Sequence, residues 1–175
     1  MRNLEFKARV PDARAMLAAA RALGADLWGD LRQTDTYFRV ARGRLKLRET
    51  AGFQAELIYY ERDEAAALRP SDYTTVALRD GDAMRAILAA ALGVQGVVRK
   101  RRTLLLLDTI RIHLDNVEEL GHYIEIEVPV KEDEAAAEAR FEALVAGLGL
   151  SWQSCIRGSY IDLLSAVASS PEKQA

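Results

Sequence analysis

The first strand predicted from the sequence carries charged or polar side chains at every second position. Residues 2–10 read RNLEFKARV, so that one set of alternate positions holds Asn3, Glu5, Lys7 and Arg9 and the other holds Leu4, Phe6, Ala8 and Val10. A repeat of two is the repeat of a β-strand whose faces differ in polarity. The fold must therefore provide a polar environment on one side of this strand and an apolar one on the other.

The same alternation recurs along the chain. Strands are predicted within residues 33–50, where a tight turn at 41–43 separates two of them, and over residues 53–62, 74–78, 96–107, 109–117 and 123–130. Residues 63–73 are predicted to form a loop, and helices are predicted for residues 11–25, 79–94 and 132–150. Residues 159–164 are expected to close the chain against the sheet. Seven or eight antiparallel strands in one α+β domain indicate a sandwich or a closed barrel.

Charges of like sign cluster on particular strands. Bases share a face at Arg44, Lys46, Arg48, Lys100 and Arg102, acids at Glu125 and Glu127, and both signs at Arg111, His113 and Asp115. For any single strand a solvated face is the better explanation, because antiparallel sheets commonly bury only one face. For the whole set, the clustering and the apolar opposite faces favour a sheet closed around a charged lumen. Unpaired buried charge is costly, so such a lumen must hold water and a ligand.

The residue types in this lumen fit a polyphosphate and a metal ion. Arginine offers paired donors to phosphate oxygens and lysine offers a point charge. Carboxylates at Glu5, Asp115, Glu125 and Glu127 are the oxygen ligands that Mg²⁺ or Mn²⁺ prefers. The pattern therefore predicts a metal-bound polyphosphate site that acts by electrostatics and metal activation.

The composition of the chain argues against several classes of function. The net charge is −2, which gives no global basic field for nucleic acid, and strand alternation splits RKRR at 99–102 between two faces. The single cysteine, Cys155, excludes an intramolecular disulfide. No stretch approaches the roughly 20 apolar residues of a membrane span. We expect one domain over residues 1–165, a disordered tail over 166–175, and a cytoplasmic protein with no nucleic-acid or membrane partner.

Several blocks together resemble the CYTH superfamily, the triphosphate tunnel metalloenzymes, which include class IV adenylate cyclases, thiamine triphosphatases and inorganic tripolyphosphatases. These blocks are NLEFKARV, GRLKLRE, AELIYYER, VVRKRRTL, RIHLDNVEELGHYIEIEV and GSYIDLL, which together extend over nearly the whole chain. The resemblance implies an eight-stranded antiparallel β-barrel with flanking helices. It also implies that the polar tunnel of this barrel binds a triphosphate and a divalent metal.

The family's motifs imply a role for individual residues. The ExExK motif falls on Asn3, Glu5 and Lys7, so an amide stands where the family has its first acid. Tyr60 stands where several members carry lysine, and Arg62 is expected to replace that cation. The resemblance implies a catalytic role for Lys7, Arg48 and Tyr37. It implies metal binding by Glu5, Asp115, Glu125 and Glu127, and phosphate binding by Lys7, Arg9, Lys46, Arg48, Arg62, Lys100, Arg102 and Arg111.

Three functions follow from this site. The first is hydrolysis of a small-molecule triphosphate that depends on Mg²⁺ or Mn²⁺. The second is a class IV adenylate cyclase, which would convert ATP to cyclic AMP and pyrophosphate. The third is a non-catalytic sensor of polyphosphate or nucleotide, to which the loss of charge at Asn3 and Tyr60 lends support. Fold and site type do not choose among them. Barrels of this size also leave pairing as a homodimer open.

Overall fold

The structure, a computed structural model, describes residues 2–62, 69–130 and 134–169, and for residues 62, 69–71 and 134 it describes the backbone only. The strands are β1 (Arg2–Arg9), β2 (Asp26–Phe38), β3 (Arg44–Thr50), β4 (Ala55–Arg62), β5 (Arg69–Leu78), β6 (Val94–Leu107), β7 (Ile110–Val117) and β8 (Gly121–Pro129). The helices are α1 (Ala13–Ala22), α2 (Gly81–Leu92), α3 (Glu134–Gly147) and α4 (Tyr160–Ala168), with a short 3₁₀ turn at Trp152–Ser154.

The eight strands form one closed antiparallel barrel in the order β1-β5-β4-β3-β2-β6-β7-β8. This confirms the predicted α+β fold with an eight-stranded barrel. The strand registers bring opposite charges together, because Lys7 on β1 faces Glu125 on β8, and Arg102 on β6 faces Asp115 on β7. Directly opposed residues on antiparallel strands lie about 5 Å apart at Cβ, so these pairs interact.

The apolar face of the alternating strands packs outward under helices. Leu4, Phe6 and Ala8 of β1 are fully buried and join one cluster with residues of α1, α3, β7 and β8. Phe6 meets Phe141 and Trp152 edge-on, with ring centroids 6.4 and 5.6 Å away. Burial of this layer leaves the charged alternate positions of the same strands to face the barrel interior.

Helix α4 crosses one end of the barrel. It begins with a capping box in which Ser159 and Asp162 bond to each other's backbone and side chain. Tyr160 and Ile161 at its start are buried, and the Tyr160 ring meets Tyr123 edge-on at 5.2 Å. The Arg44 guanidinium at the start of β3 pairs with Asp162 at 2.8 Å, which ties the helix to the barrel rim.

Two boundaries and one element differ from the prediction. β2 begins at Asp26 rather than within residues 33–50, because a register shift between Leu27 and Gly29 interrupts the alternation that marks a strand. The predicted loop over 63–73 is wrong for its last residues, since β5 begins at Arg69. Pro70 suggested a loop, but proline is tolerated near the first residue of a strand. Residues 159–164 contribute a fourth helix.

The predictions about the C-terminal tail and about membrane-spanning segments can also be compared with the structure. Helix α4 continues to Ala168, which overlaps the tail predicted from residue 166, and residues 170–175 lie outside the described part. Within the residues that the structure describes, no helix combines the length and hydropathy needed to span a membrane.

Candidate active site

A cavity of about 320 Å³ occupies the barrel interior. It is large enough for a small polyanionic ligand, since ligand pockets usually start at about 300 Å³. Every strand and the start of α4 contribute to its wall. Its charged and imidazole side chains are Glu5, Lys7, Asp35, Lys46, Arg48, Glu56, Lys100, Arg102, Arg111, His113, Glu125 and Glu127.

Asp35 on β2 organises the basic side of the cavity. The Arg48 guanidinium donates to both of its carboxylate oxygens at 2.7 and 2.8 Å, Lys46 Nζ lies at 3.0 Å, and Lys100 Nζ lies at 3.9 Å. Burial alone would raise the pKa of Asp35, but Arg48, Lys46 and Lys100 outweigh it and hold the pKa well below its usual value. Asp35 therefore stays ionised and fixes three cations in place.

Asp115 on β7 plays the same part for Arg102. The guanidinium donates to both carboxylate oxygens at 2.7 and 2.6 Å, and Tyr160 Oη of α4 donates to Oδ2 at 2.9 Å. Burial opposes ionisation, but Arg102 and Lys100 lower the pKa of Asp115 to about 2. Both carboxylate oxygens thus accept hydrogen bonds from Arg102, and Oδ2 also accepts one from Tyr160. Asp115 is not among the residues that line the cavity and lies behind its wall.

The acidic side of the cavity lies on β1 and β8. Glu125 Oε1 pairs with Lys7 Nζ at 3.0 Å and Oε2 with Arg102 Nη2 at 2.6 Å, while Glu127 Oε2 pairs with Arg111 Nη2 at 3.0 Å. Burial raises the pKa of Glu125, but Lys7 and Arg102 prevail and hold it well below its usual value. Both oxygens of Glu125 are thus in ion pairs with basic side chains, whereas Glu127 keeps Oε1 directed at His113.

His113 lies between the two glutamates. Its buried Nδ1 atom is 3.6 Å from Glu127 Oε1 and 4.0 Å from Glu125 Oε2, and among the residues that the structure describes it has no hydrogen-bond partner. Burial and the nearby Arg102 charge lower the pKa of His113 to about 4, so the imidazole is neutral at pH 7. One ligand atom from each of His113, Glu125 and Glu127 lies within 4.8 Å of the others, a grouping that could hold a metal ion.

The ammonium group of Lys46 is buried among other charged side chains, which strongly changes its pKa. Burial, and then repulsion from Arg48, lower its pKa to about 7, although Asp35 acts in the opposite direction. Its Nζ atom lies 5.5 and 5.7 Å from the ring centroids of Tyr37 and Tyr60. Burial raises the pKa of the Tyr37 phenol well above its usual value, so Tyr37 stays protonated.

The cavity collects most of the residues proposed from the sequence. Its wall includes Asn3, Glu5, Lys7, Tyr37, Lys46, Arg48, Tyr60, Lys100, Arg102, Arg111, Glu125 and Glu127. Arg9 lies outside that wall, where its exposed guanidinium stands 5.2 Å from the Tyr123 ring centroid. Asp115 lies behind the wall. The side chain of Arg62 lies outside the part that the structure describes.

The roles predicted from the sequence did not include Asp35, Glu56, His113 or Tyr160, which all line the cavity. Asp35 lies two residues from both Gln33 and Tyr37 on β2, so all three face the same side of the strand. This alternation is the sequence pattern that could have identified Asp35. Tyr160 reaches the cavity from a helix after the last strand, so strand parity could not identify it. Its ring lies 4.2 Å from Lys7 Nζ and 5.1 Å from Lys100 Nζ, measured to the centroid.

The strand order places two groups of charged side chains on opposite sides of the barrel, although each group contains both signs of charge. In a ring of eight strands, β1 and β8 lie opposite β2 and β3. Glutamates of the first pair therefore face Lys46 and Arg48 across the interior. Bases on one side could bind a polyanion, and the grouping of His113, Glu125 and Glu127 on the other could hold a divalent cation.

The family model for the CYTH domain matches residues 1–160. No curated protein matches the chain by sequence. Among solved structures, PH1012 from Pyrococcus horikoshii is 24% identical with a TM-score of 0.83, and the match covers 92% of this chain and 98% of that one. A protein from Vibrio parahaemolyticus described as a candidate adenylate cyclase is 22% identical with a TM-score of 0.76, over 93% and 97% of the two chains.

A third similar structure comes from a plant. HpAC1 from Hippeastrum, for which a dominant triphosphatase activity is described, is 14% identical with a TM-score of 0.67, over 97% of this chain and 98% of that one. At these identities the structural likeness establishes the fold. The two names also show that similar barrels are associated with both activities.

Proposed function

The chain belongs to the CYTH domain family, and from this premise we propose that it is a divalent-metal-dependent phosphohydrolase acting on a triphosphate. The substrate would be inorganic tripolyphosphate or an organic or nucleoside triphosphate, bound inside the barrel. One observation supports this most strongly: the bases of β3 and β6 and the glutamates of β1 and β8 line the same cavity, with β3 across the interior from β8. A linear polyanion can contact the bases while its metal ion contacts the acids.

The basic side is preorganised for phosphate. Arg48 and Arg102 each use Nε and Nη2 to bind a buried aspartate, which holds the guanidinium plane in one orientation. Each guanidinium keeps further N–H donors for a ligand. Lys7, Lys46 and Lys100 add point charges from other directions. Fixed donors of this kind stabilise charge that develops on phosphate oxygens without reorganising during the reaction.

The acidic side fits a divalent cation. One oxygen each of Glu125 and Glu127 lies within 4.8 Å of a nitrogen of His113 there, and Glu5 lines the same cavity. When bound, Mg²⁺ or Mn²⁺ supplies neutralisation of phosphate charge and activation of water. The glutamates would hold the ion, while Tyr37 and Lys46 line another part of the wall, where phosphates would bind.

Hydrolysis can be tested by ³¹P NMR. Purified protein with Mg²⁺ receives inorganic tripolyphosphate in one sample and ATP in another. We expect orthophosphate to appear, with pyrophosphate from tripolyphosphate or ADP from ATP. Glu127→Gln should lower the rate by at least about 100-fold, because it removes a charged group from the metal side. Glu118→Gln, an exposed acid outside the cavity wall, is the matched control and should keep the wild-type rate.

Two results would contradict the proposal. Near-normal turnover by Glu127→Gln would show that the acids of β8 do not serve the reaction. Tight metal-dependent binding of tripolyphosphate and ATP without any product would instead identify a non-catalytic sensor.

The cyclase reaction is the second candidate, and the less polar part of the cavity favours it. Ile58, Tyr60, Tyr73 and Leu104 line the interior alongside the charges, and together they could contact a nucleobase. In that case the ATP sample would yield cyclic AMP and pyrophosphate, and the tripolyphosphate sample would remain unchanged.

A further inference from the structure

His113 has an unusual position for a buried histidine. It lies on β7 directly opposite Glu125 of β8, and its side chain is 5% exposed. Nδ1 has no hydrogen-bond partner among the residues that the structure describes. Buried polar side-chain atoms are mostly hydrogen-bonded. A buried nitrogen that faces two carboxylates without forming a hydrogen bond therefore needs an explanation.

A hydrogen bond does not provide that explanation. The separations of 3.6 Å to Glu127 Oε1 and 4.0 Å to Glu125 Oε2 exceed the usual N–H···O range of about 2.7–3.2 Å. The 3.6 Å separation from Glu127 Oε1 suits two atoms that share a cation, because metal bonds of about 2.0–2.2 Å hold neighbouring ligand atoms roughly 3–4 Å apart. Glu125 Oε2 is already held by Arg102 Nη2 at 2.6 Å.

The two oxygens of Glu127 are also divided between different partners. Oε2 pairs with Arg111 at 3.0 Å, whereas Oε1 is the oxygen that faces His113. A carboxylate held on one side by a guanidinium presents its other oxygen in a fixed direction, as groups outside the ligand shell commonly do for ligands within it. The imidazole and the glutamate therefore point to a common position.

We propose that His113 coordinates the divalent metal through Nδ1, so that the ligand set contains nitrogen as well as oxygen. The inference rests on the proposed function only in using its metal-binding wall. Mg²⁺ prefers oxygen ligands, whereas imidazole nitrogen suits later first-row ions, whose affinity rises along the series after Mn²⁺. A mixed ligand set thus favours Mn²⁺ or Co²⁺ over Mg²⁺, and His113 is the residue that sets this preference.

The ligand can be detected without any measurement of turnover. The chain has two histidines, and His122 is exposed beside the β7–β8 turn. Tag-free His122→Gln protein, in which His113 is the remaining histidine, is prepared with ¹⁴N- or ¹⁵N-histidine and loaded with Mn²⁺. Electron spin-echo envelope modulation then reports nitrogen bound to the ion. We expect a directly coordinated nitrogen whose coupling frequencies change on ¹⁵N-histidine labelling.

A variant gives a second readout. His113→Gln should lose the nitrogen modulation and weaken Mn²⁺ binding by at least about tenfold, while Mg²⁺ affinity, measured by competition for the Mn²⁺ signal, changes less. His122→Gln alone should bind Mn²⁺ like the wild type. Thermal melting of each variant verifies that it folds, and the labelled His122→Gln protein tests the proposal even if His113→Gln does not.

The outcomes separate the inference from the proposed function. Mn²⁺ bound by oxygen alone, or no Mn²⁺ binding, would overturn the nitrogen ligand, whether or not the protein hydrolyses tripolyphosphate with Mg²⁺. A labelled nitrogen coupling in a protein that releases no phosphate would uphold the ligand and count against the hydrolase.

Discussion

At the scale of single residues, buried carboxylates determine where the cavity's cations stand. Asp35 pairs directly with Arg48 and Lys46 and lies 3.9 Å from Lys100 Nζ, which is 3.6 Å from Asp115 Oδ2. Without its charge, the three cations would repel one another in a space from which water is partly excluded. Asp35 therefore supports both the fold and the phosphate-binding wall.

Asp35→Asn should lower the free energy of unfolding by about 3–5 kcal/mol, the usual cost of removing one partner from a buried ionic cluster. Urea unfolding followed by circular dichroism measures the loss. Asp26→Asn, an exposed aspartate on the same strand, is the control and should change stability by less than about 0.5 kcal/mol. Equal stabilities for the two variants would contradict the role assigned to Asp35.

Lys46 should link triphosphate binding to proton uptake. With a pKa of about 7 in the free protein, its ammonium loses a proton above pH 7, and a bound polyanion should restore it. Because the bound state then holds more protons, affinity should fall as the pH rises above 7, by up to about tenfold per unit. Calorimetric titration with tripolyphosphate at pH 8, in buffers of different ionisation enthalpy, counts the protons.

Lys46→Arg separates this effect from the titration of the ligand itself. Arginine stays charged throughout, so the variant should take up about one proton fewer than the wild type at pH 8. The same proton count for both proteins would show that Lys46 is already charged in the free cavity.

At the scale of elements, α4 closes the end of the barrel at which the basic and acidic side chains meet. Lys7 Nζ donates to the Gly158 carbonyl at 3.1 Å just before the helix, and Tyr160 donates to Asp115. The helix is seated against Gly96 of β6, where a Cβ atom would stand 2.5 Å from Ile161 Cδ1. This contact leaves room for glycine alone unless Ile161 moves.

Gly96→Ala should therefore destabilise the protein by about 1–3 kcal/mol, as overpacking of a buried contact does. Hydrogen exchange should accelerate in α4, and Gly96→Ala/Ile161→Val should recover part of the loss. Gly29→Ala on β2, where a Cβ meets nothing within 4 Å, is the control. Unchanged exchange in α4 of the Gly96→Ala protein would mean that the helix is not held by this contact.

Strands and helices were predicted well where residues close in sequence determine them, and poorly where contacts distant in sequence determine them. β1, β3 and β8 alternate between polar and apolar residues over most of their length, so their sequence indicates both the strand and the face that turns inward. β5 could not be placed fully, because Pro70 near its start resembles a loop signal. Helix α4 was missed because its inward surface is decided by contacts with the barrel end, which are distant in sequence.

For the site, the sequence revealed paired charges more readily than single ones. Lys46 with Arg48, and Glu125 with Glu127, stand two residues apart and reveal their face by repetition. Asp35 is a lone acid between threonines, and its importance depends on the cations of β3 and β6. The position of His113 between two glutamates depends on the β7–β8 register, which no local pattern specifies.

At the scale of the whole molecule, barrel closure turns separate strand patterns into one electrostatic arrangement. Strands β1 and β8, which carry the acids, are adjacent although they lie at opposite ends of the sheet-forming sequence, and β2 and β3 face them across the interior. The placement of Lys46 and Arg48 opposite the glutamates of β1 and β8 is therefore a property of the strand order. The central claim is that this arrangement binds a triphosphate on one wall and a metal ion on the other.

A crystal structure of the protein with Mn²⁺ and diimidotriphosphate, a non-hydrolysable triphosphate analogue, tests that claim most directly. We expect phosphate density beside Arg48, Lys100 and Arg102, and an anomalous Mn²⁺ peak between the phosphates and the glutamates of β8. A ligand bound outside the barrel, or an interior that stays free of both at saturating concentration, would contradict the account.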